Sequence, residues 1–126
     1  MPKPAHPQRN TGPLGNYLRT HRKKAGLSQR ELGRLLGYGN QETTVSRHEQ
    51  SHTLPPLLIA LCYEVLYNAP ISQLFPGIHL TAKQVIELRL LEFESELENR
   101  SGKGVSAALV AQKLMWLYER RSMNGE

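Results

Sequence analysis

Ser28, Glu31, Gly33 and Gly37 constrain the fold of this chain more than any other group of residues. Ser28 and Glu31 stand at capping-box spacing. The serine oxygen can accept an orphan N–H of a first helical turn while the glutamate reaches back to the cap, so a helix is expected to start at Ser28. Leu32, Leu35 and Leu36 fall at i, i+3 and i+4 and are expected on one stripe facing a core. Gly33, inside that run, is either a mildly destabilising helix residue, costing about 1 kcal/mol against alanine, or a point of close approach by another helix. Gly37 favours close approach. It follows the last apolar residue, where a left-handed C-cap is needed, and a small residue four positions earlier is what a tight bihelical corner requires. Residues 27–49, LSQRELGRLLGYGNQETTVSRHE, therefore predict two short helices joined by a glycine-bearing turn, with hydroxyls, a glutamate and an arginine exposed on the second.

A second helix of that composition suits insertion into a duplex groove. Three further blocks extend the pattern: LGNYLRTHRKKAGL from Leu14, TVSRHE from Thr44, and PPLLIALCYEVLYNAPISQLF from Pro55. With LSQRELGRLLG from Leu27 they make the chain resemble, over about half of its length, the lambda-repressor-like, Cro-type helix-turn-helix family, also called the xenobiotic-response-element type. The resemblance implies an all-α fold with a five-helix DNA-binding domain. It also implies a two-fold homodimer and an operator whose half-sites lie about one duplex turn apart. Arg22 matches a position that in the family pairs with a recognition-helix glutamate, here Glu49, and Arg47 matches a base-reading position. Two departures stand out. From Gly37 to Val45 the chain is two residues longer than the family turn, so Tyr38, Gly39 and Asn40 are expected to form an extended loop. His48 stands where the family buries isoleucine or leucine.

Charge is unevenly placed along the 126 residues. Residues 1–50 hold nine Lys/Arg against three acids, a balance of plus six, and the remainder holds seven against eight, a balance of minus one. The excess lies with the reading motif, where it would neutralise phosphates and release counterions, although a solvated basic face gives the same count. One cysteine, Cys62, excludes an internal disulfide and sits in an apolar helical context that favours packing over redox sensing. Neither a signal-peptide-like stretch nor an apolar run long enough to span a bilayer is present, so a cytoplasmic location without membrane contact is expected.

Residues 1–12, with three prolines, are expected to be a flexible arm, either free or reaching with Lys3 and Arg9 into a minor groove. The helix-turn-helix domain is expected over residues 13–77. Its first helix is placed near Pro13 to Ala25 with Leu14, Tyr17 and Leu18 inward, and Gly26 as its stop. After Pro55 and Pro56, a helix with Leu57, Leu58, Leu61, Val65 and Leu66 on its apolar face is expected, then a short closing helix with Ile71, Leu74 and Phe75. Pro76 and Gly77 are read as its end. Thr81 and Gln84 repeat the capping-box spacing ahead of Ile86, Leu90, Phe93 and Leu97, with five glutamates from Glu87 to Glu98 on the other face. The turn SGKG at residues 101–104 leads to a last helix near Val105 to Arg121, with Val105, Leu109 and Trp116 on one side and Val110, Leu114 and Leu117 on another. Residues 78–126 thus read as a helical hairpin too apolar to stand alone, which suits dimerisation or docking of a protein partner, or an extra layer on its own domain.

The expected recognition helix spans residues 41–51. Arg47, one turn beyond Thr43, is the leading base reader, because its fork can bind guanine O6 and N7 together. Thr43 could meet a thymine methyl, Glu42 could accept from a cytosine amine, and Gln41 and Thr44 share the first turn. Ser28 and Gln29 match phosphate-holding positions of the family, aided by helix N–H groups, with Asn40, Ser51 and Thr53 as further backbone contacts and Lys23 and Lys24 free to meet DNA. A competing pattern overlaps: His48 to His52 spell HExxH, in which two histidines one turn apart could hold zinc while Glu49 activates water. Pro55 close behind, the lack of an HxxGxxH continuation, and a third ligand (Glu64 or His79) at no expected spacing all argue against a metallopeptidase. The reading is thus a non-enzymatic, sequence-specific regulator of double-stranded DNA, a repressor, with no cofactor or metal. An antitoxin-like or adaptor module is the alternative.

Overall fold

A computed structural model describes residues 15–100 and 106–124 of the chain. The expected arm, Pro13, Leu14, the SGKG turn and Val105 lie outside the described residues. Among those described, every regular element is a helix: α1 (Leu18–Ala25), α2 (Gln29–Leu35), α3 (Thr43–Glu49), α4 (Leu57–Tyr67), α5 (Ile71–Leu74), α6 (Pro76–Arg100) and α7 (Ala107–Met123). The chain divides into two compact units, Met1–Ala82 and Lys83–Glu126, with α6 contributing to both.

In the first unit the capping box at the head of α2 is complete. Glu31 N–H donates to Ser28 Oγ over 3.0 Å, and Ser28 N–H donates to Glu31 Oε1 over 2.9 Å. That backbone hydrogen bond holds the exposed Glu31 carboxylate below its ordinary pKa. Leu32 and Leu36 are buried as expected, but Leu35 is 58 % exposed. At about 100° per residue, Leu36 lies roughly 40° and Gly33 roughly 100° to one side of Leu32, whereas Leu35 falls roughly 60° to the other, outside the buried arc. Gly33 is buried beneath the backbone of Gln41, so close that a β-carbon there would sit 2.5 Å from the Gln41 carbonyl oxygen. The backbone just ahead of α3 therefore rests directly on α2. Gly37 closes α2 at φ +93, the left-handed conformation that glycine takes without strain. The longer turn then runs through Tyr38, whose N–H donates to Gly33 O over 2.7 Å and whose ring packs on the core.

Several boundaries differ from the sequence-based expectation. α1 starts at Leu18, and residues 15–17 are not helical: Tyr17 N–H donates to Leu74 O and Gly15 O accepts from Gly77 N–H, contacts far along the chain that hold this stretch against the α5–α6 junction. Tyr17, expected inward, is 42 % exposed. α3 is shorter than 41–51: Gln41 and Glu42 precede it, and Ser51 turns left-handed at φ 63 just past its end. Pro76 and Gly77 begin α6 instead of ending the module, since proline is tolerated at a first helical position. Thr81 caps nothing. It lies inside α6, and its hydroxyl donates to Gly77 O one turn back.

The largest departure concerns α4. Ala60 and Tyr63 are buried, with Ile59, Cys62 and Tyr67 packed beside them, while the stripe expected to face the core points outward. Leu57, Leu58 and Val65 are each more than 70 % exposed and Leu61 and Leu66 are 40 % exposed.

In the second unit Leu97, Val110 and Leu117 are buried, with Leu90, Phe93 and Leu114 against them. Of the expected 4,3,4 run, Ile86 remains exposed. Two ion pairs, Glu87 with Arg120 and Glu94 with Arg121, link α6 to α7 beside this cluster. Leu109 and Trp116, the other expected stripe of α7, are about half exposed.

Candidate nucleic-acid interface

Helix α3 has one face fixed and one face free, and its sequence explains the division. Val45, His48 and Glu49 are buried; Thr43, Arg47 and Gln50 are exposed, with Thr44 and Ser46 between. At about 100° per residue the outward arc centres on Thr43 and Arg47 and extends to Ser46 and Gln50. Those last two are additions to the expected readers. Their signal was the i+3 and i+7 spacing from Thr43, hidden by uncertainty about where the helix began. Thr44 sits at the edge of the arc and is half-buried, Glu42 is the exposed N-cap residue, and Gln41 is exposed ahead of the helix.

The inward face is held by charge and hydrogen bonds as much as by packing. Arg22 from α1 meets Glu49 in a two-pronged pair, Nε to Oε2 at 2.6 Å and Nη2 to Oε1 at 3.2 Å, and its Nη1 donates to Leu27 O. Hydrogen bonding to Glu49 pushes the Arg22 guanidinium above its ordinary pKa, against the opposing cost of burial. Gln29 Nε2 donates to Glu49 Oε1 over 3.1 Å, which ties the first turn of α2 to the last residue of α3. Asn16 was not singled out in the sequence. It is 1 % exposed, and its Nδ2 donates to His48 O and Ser51 Oγ while its Oδ1 accepts from Leu18 N–H. Only the bond to Leu18 is local; the partners of its Nδ2, which fix it against the end of α3, lie more than thirty residues away.

His48 is 3 % exposed, and its Nδ1 lies 3.0 Å from the Tyr63 hydroxyl. The rings of Tyr38 and Tyr63 stand tilted and edge-on around it. Burial lowers the His48 pKa, partly offset by the nearby Glu49 charge, and burial raises the Tyr63 phenol far above its ordinary value. An imidazole bonded to a phenol thus fills the position at which the resembled family buries isoleucine or leucine. The HExxH segment does not form a metal-ligating helix face: α3 ends at Glu49, the chain turns at Ser51, His48 faces the core and His52 is exposed. Among the described residues no group of three or more His, Cys, Asp or Glu is placed to hold a metal ion.

An open cleft of about 660 Å³ runs between the head of α2 and the outward side of α3. It brings together Ser28, Gln29, Glu42 and the edges of Arg22 and Glu49, and adds Arg19, which lies one turn before Arg22. Arg47, Thr43, Thr44, Gln41, Asn40, Ser51, Thr53, Lys23 and Lys24 lie outside this lining. Of these, Asn40, Thr53, Lys23 and Lys24 are exposed, and Ser51 is half-buried against Asn16. Among the described residues no helix is long and apolar enough to cross a membrane.

No curated protein matches the chain. Residues 13–62, which run from ahead of α1 to the middle of α4, match the family model described as a helix-turn-helix domain.

Proposed function

We propose that the chain is a sequence-specific regulator of transcription that places α3 in the major groove of double-stranded DNA and represses as a two-fold dimer in the cytoplasm. The observation that supports this reading is the division of α3: an outward arc led by Thr43 and Arg47, backed by a buried face that Arg22, Gln29 and Asn16 hold rigid. A preorganised helix spends little of its binding energy on ordering. Arg47 reads guanine, Thr43 a thymine methyl and Glu42 a cytosine amine, with Gln41 and Thr44 at the rim. Ser28, Gln29, Asn40, Ser51, Thr53, Lys23 and Lys24 hold backbone phosphates, which set register without reading sequence.

Selection of bound duplexes from a random pool tests this reading, with an enriched two-fold site as the expected result. On that site Arg47→Ala should lose about 1–3 kcal/mol of preference over random DNA and keep the salt-sensitive nonspecific binding. Equal losses on both DNAs would remove Arg47 from the reading role. Exposed Leu109, Trp116 and Met123 on α7 support a second reading, in which the C-terminal unit docks a protein partner as an adaptor or antitoxin-like module does. Trp116→Glu in the full chain should then release a co-purifying protein and leave self-association intact.

A further inference from the structure

Helix α4 is apolar around almost its whole circumference. Its sole charged residue, Glu64, is turned inward to accept the Ile71 N–H over 2.9 Å at the head of α5. A helix of that composition is ordinarily covered on all sides. Here Ala60 and Tyr63 are covered, while Leu57, Leu58, Leu61 and Val65 are 72, 71, 40 and 78 % exposed, and Leu54, just ahead, is 54 % exposed. Together these side chains present apolar surface on the order of several hundred Å², at or above the largest patch a monomer usually tolerates. That is most of the roughly 800 Å² that one partner contributes to a standard interface.

We infer that this stripe is the surface through which two copies of the chain associate. Leu57, Leu61 and Val65 form an i, i+4, i+8 ridge, and such a ridge packs against its own kind at a crossing angle of about −50°. With Leu61 at the crossing, Leu57 of one copy meets Val65 of the other, so the contact is isologous and closes as a two-fold dimer. The outward arc carries no charge, so self-pairing brings no like charges together. Nor does it offer a charged partner any ionic handle. The inference rests on the two-fold reading proposed above and names the surface that performs it.

The full-length chain tests this directly, with mass measured by analytical ultracentrifugation at tens of micromolar. The wild type should be a dimer, and Leu61→Glu and Leu61→Lys should each be monomeric with unchanged helicity, their dissociation constants raised by roughly a hundredfold or more. Mixing the two variants should restore a dimer, because opposite charges then meet at the crossing. Val65→Glu, at the most exposed position of the stripe, should give the same dissociation if either Leu61 variant folds poorly. A wild-type dimer that withstands these charges overturns the surface assignment alone. A monomeric wild type overturns both the assignment and the two-fold reading. Loss of all duplex binding by a dimeric wild type would instead overturn the DNA reading and leave the surface standing.

Discussion

Among the described residues, the N-terminal unit buries nine apolar side chains in one cluster, and threads Asn16, Arg22, His48 and Glu49 through it. The C-terminal unit buries three, Leu97, Val110 and Leu117, and ties its helices with ion pairs that remain open to solvent. Both are helix packed on helix. In the first, Asn16, Arg22, His48 and Glu49 are hydrogen-bonded in fixed arrangements, while the buried Tyr67 hydroxyl has no such partner among the described residues; the bonded four suit the proposed presentation of α3 to a duplex in fixed register. In the second, a thin apolar seam and long charged side chains hold two helices together with little to specify detail.

The strongest way to break this contrast is Arg22→Ala, which leaves Glu49 buried without its partner and should cost about 3–5 kcal/mol. Thermal melting with hydrogen exchange should show lost protection in α1 to α3 and little change in α7; uniform loosening would mean that the units do not behave separately. Leu97→Ala should do the reverse, costing about 3 kcal/mol and opening the C-terminal part of α6 and α7 while α1 to α3 stay protected. Gly33→Ala should cost about 2 kcal/mol despite the better helix propensity of alanine, because the added carbon meets the Gln41 carbonyl. A stabilised variant would show that this contact yields.

Acid sharpens the contrast further. His48 has its pKa lowered by burial, so the unfolded chain takes up a proton at a higher pH than the folded one. Stability of the N-terminal unit is therefore complete above the unfolded value of about 6.5 and falls as pH drops below it towards the folded value. Melts across that range should show this slope in the wild type and its reduction in His48→Leu; equal slopes would clear His48. The smallest effect is expected from Glu94→Gln, a shift in melting temperature below all of these that vanishes in high salt.

Local chemistry was legible in the sequence and distant contact was not. The capping box at Ser28 and Glu31 and the left-handed turn at Gly37 depend on neighbours within one turn and stand as read, whereas Gly33, expected to admit another helix, instead receives the backbone of Gln41, eight residues on and just ahead of α3. The Arg22–Glu49 pair was available through family resemblance, since no spacing rule joins residues 27 apart. The start of α1 was misplaced because its partners, Leu74 and Gly77, come from the far end of the domain. On α4 the periodicity revealed an apolar stripe, but with apolar residues on both arcs it could not say which arc faced inward, and Tyr63 proved a deeper anchor than any leucine of the exposed stripe. At α3 the outward arc became definite once its first residue was known, which brought in Ser46 and Gln50 and moved Gln41 and Glu42 to the rim.

The missing side chain at Gly33 has one more consequence. Because the strand of backbone leading into α3 leans on bare α-carbon, the angle between the two helices is set by a bearing one atom thick. Under the proposed reading, new operators would be reached by exchanging the outer residues of α3, as bits are exchanged in a chuck, while the bearing itself tolerates no wear. Variation among descendants of this chain should accordingly run freely at positions 43, 46, 47 and 50 and stall at position 33.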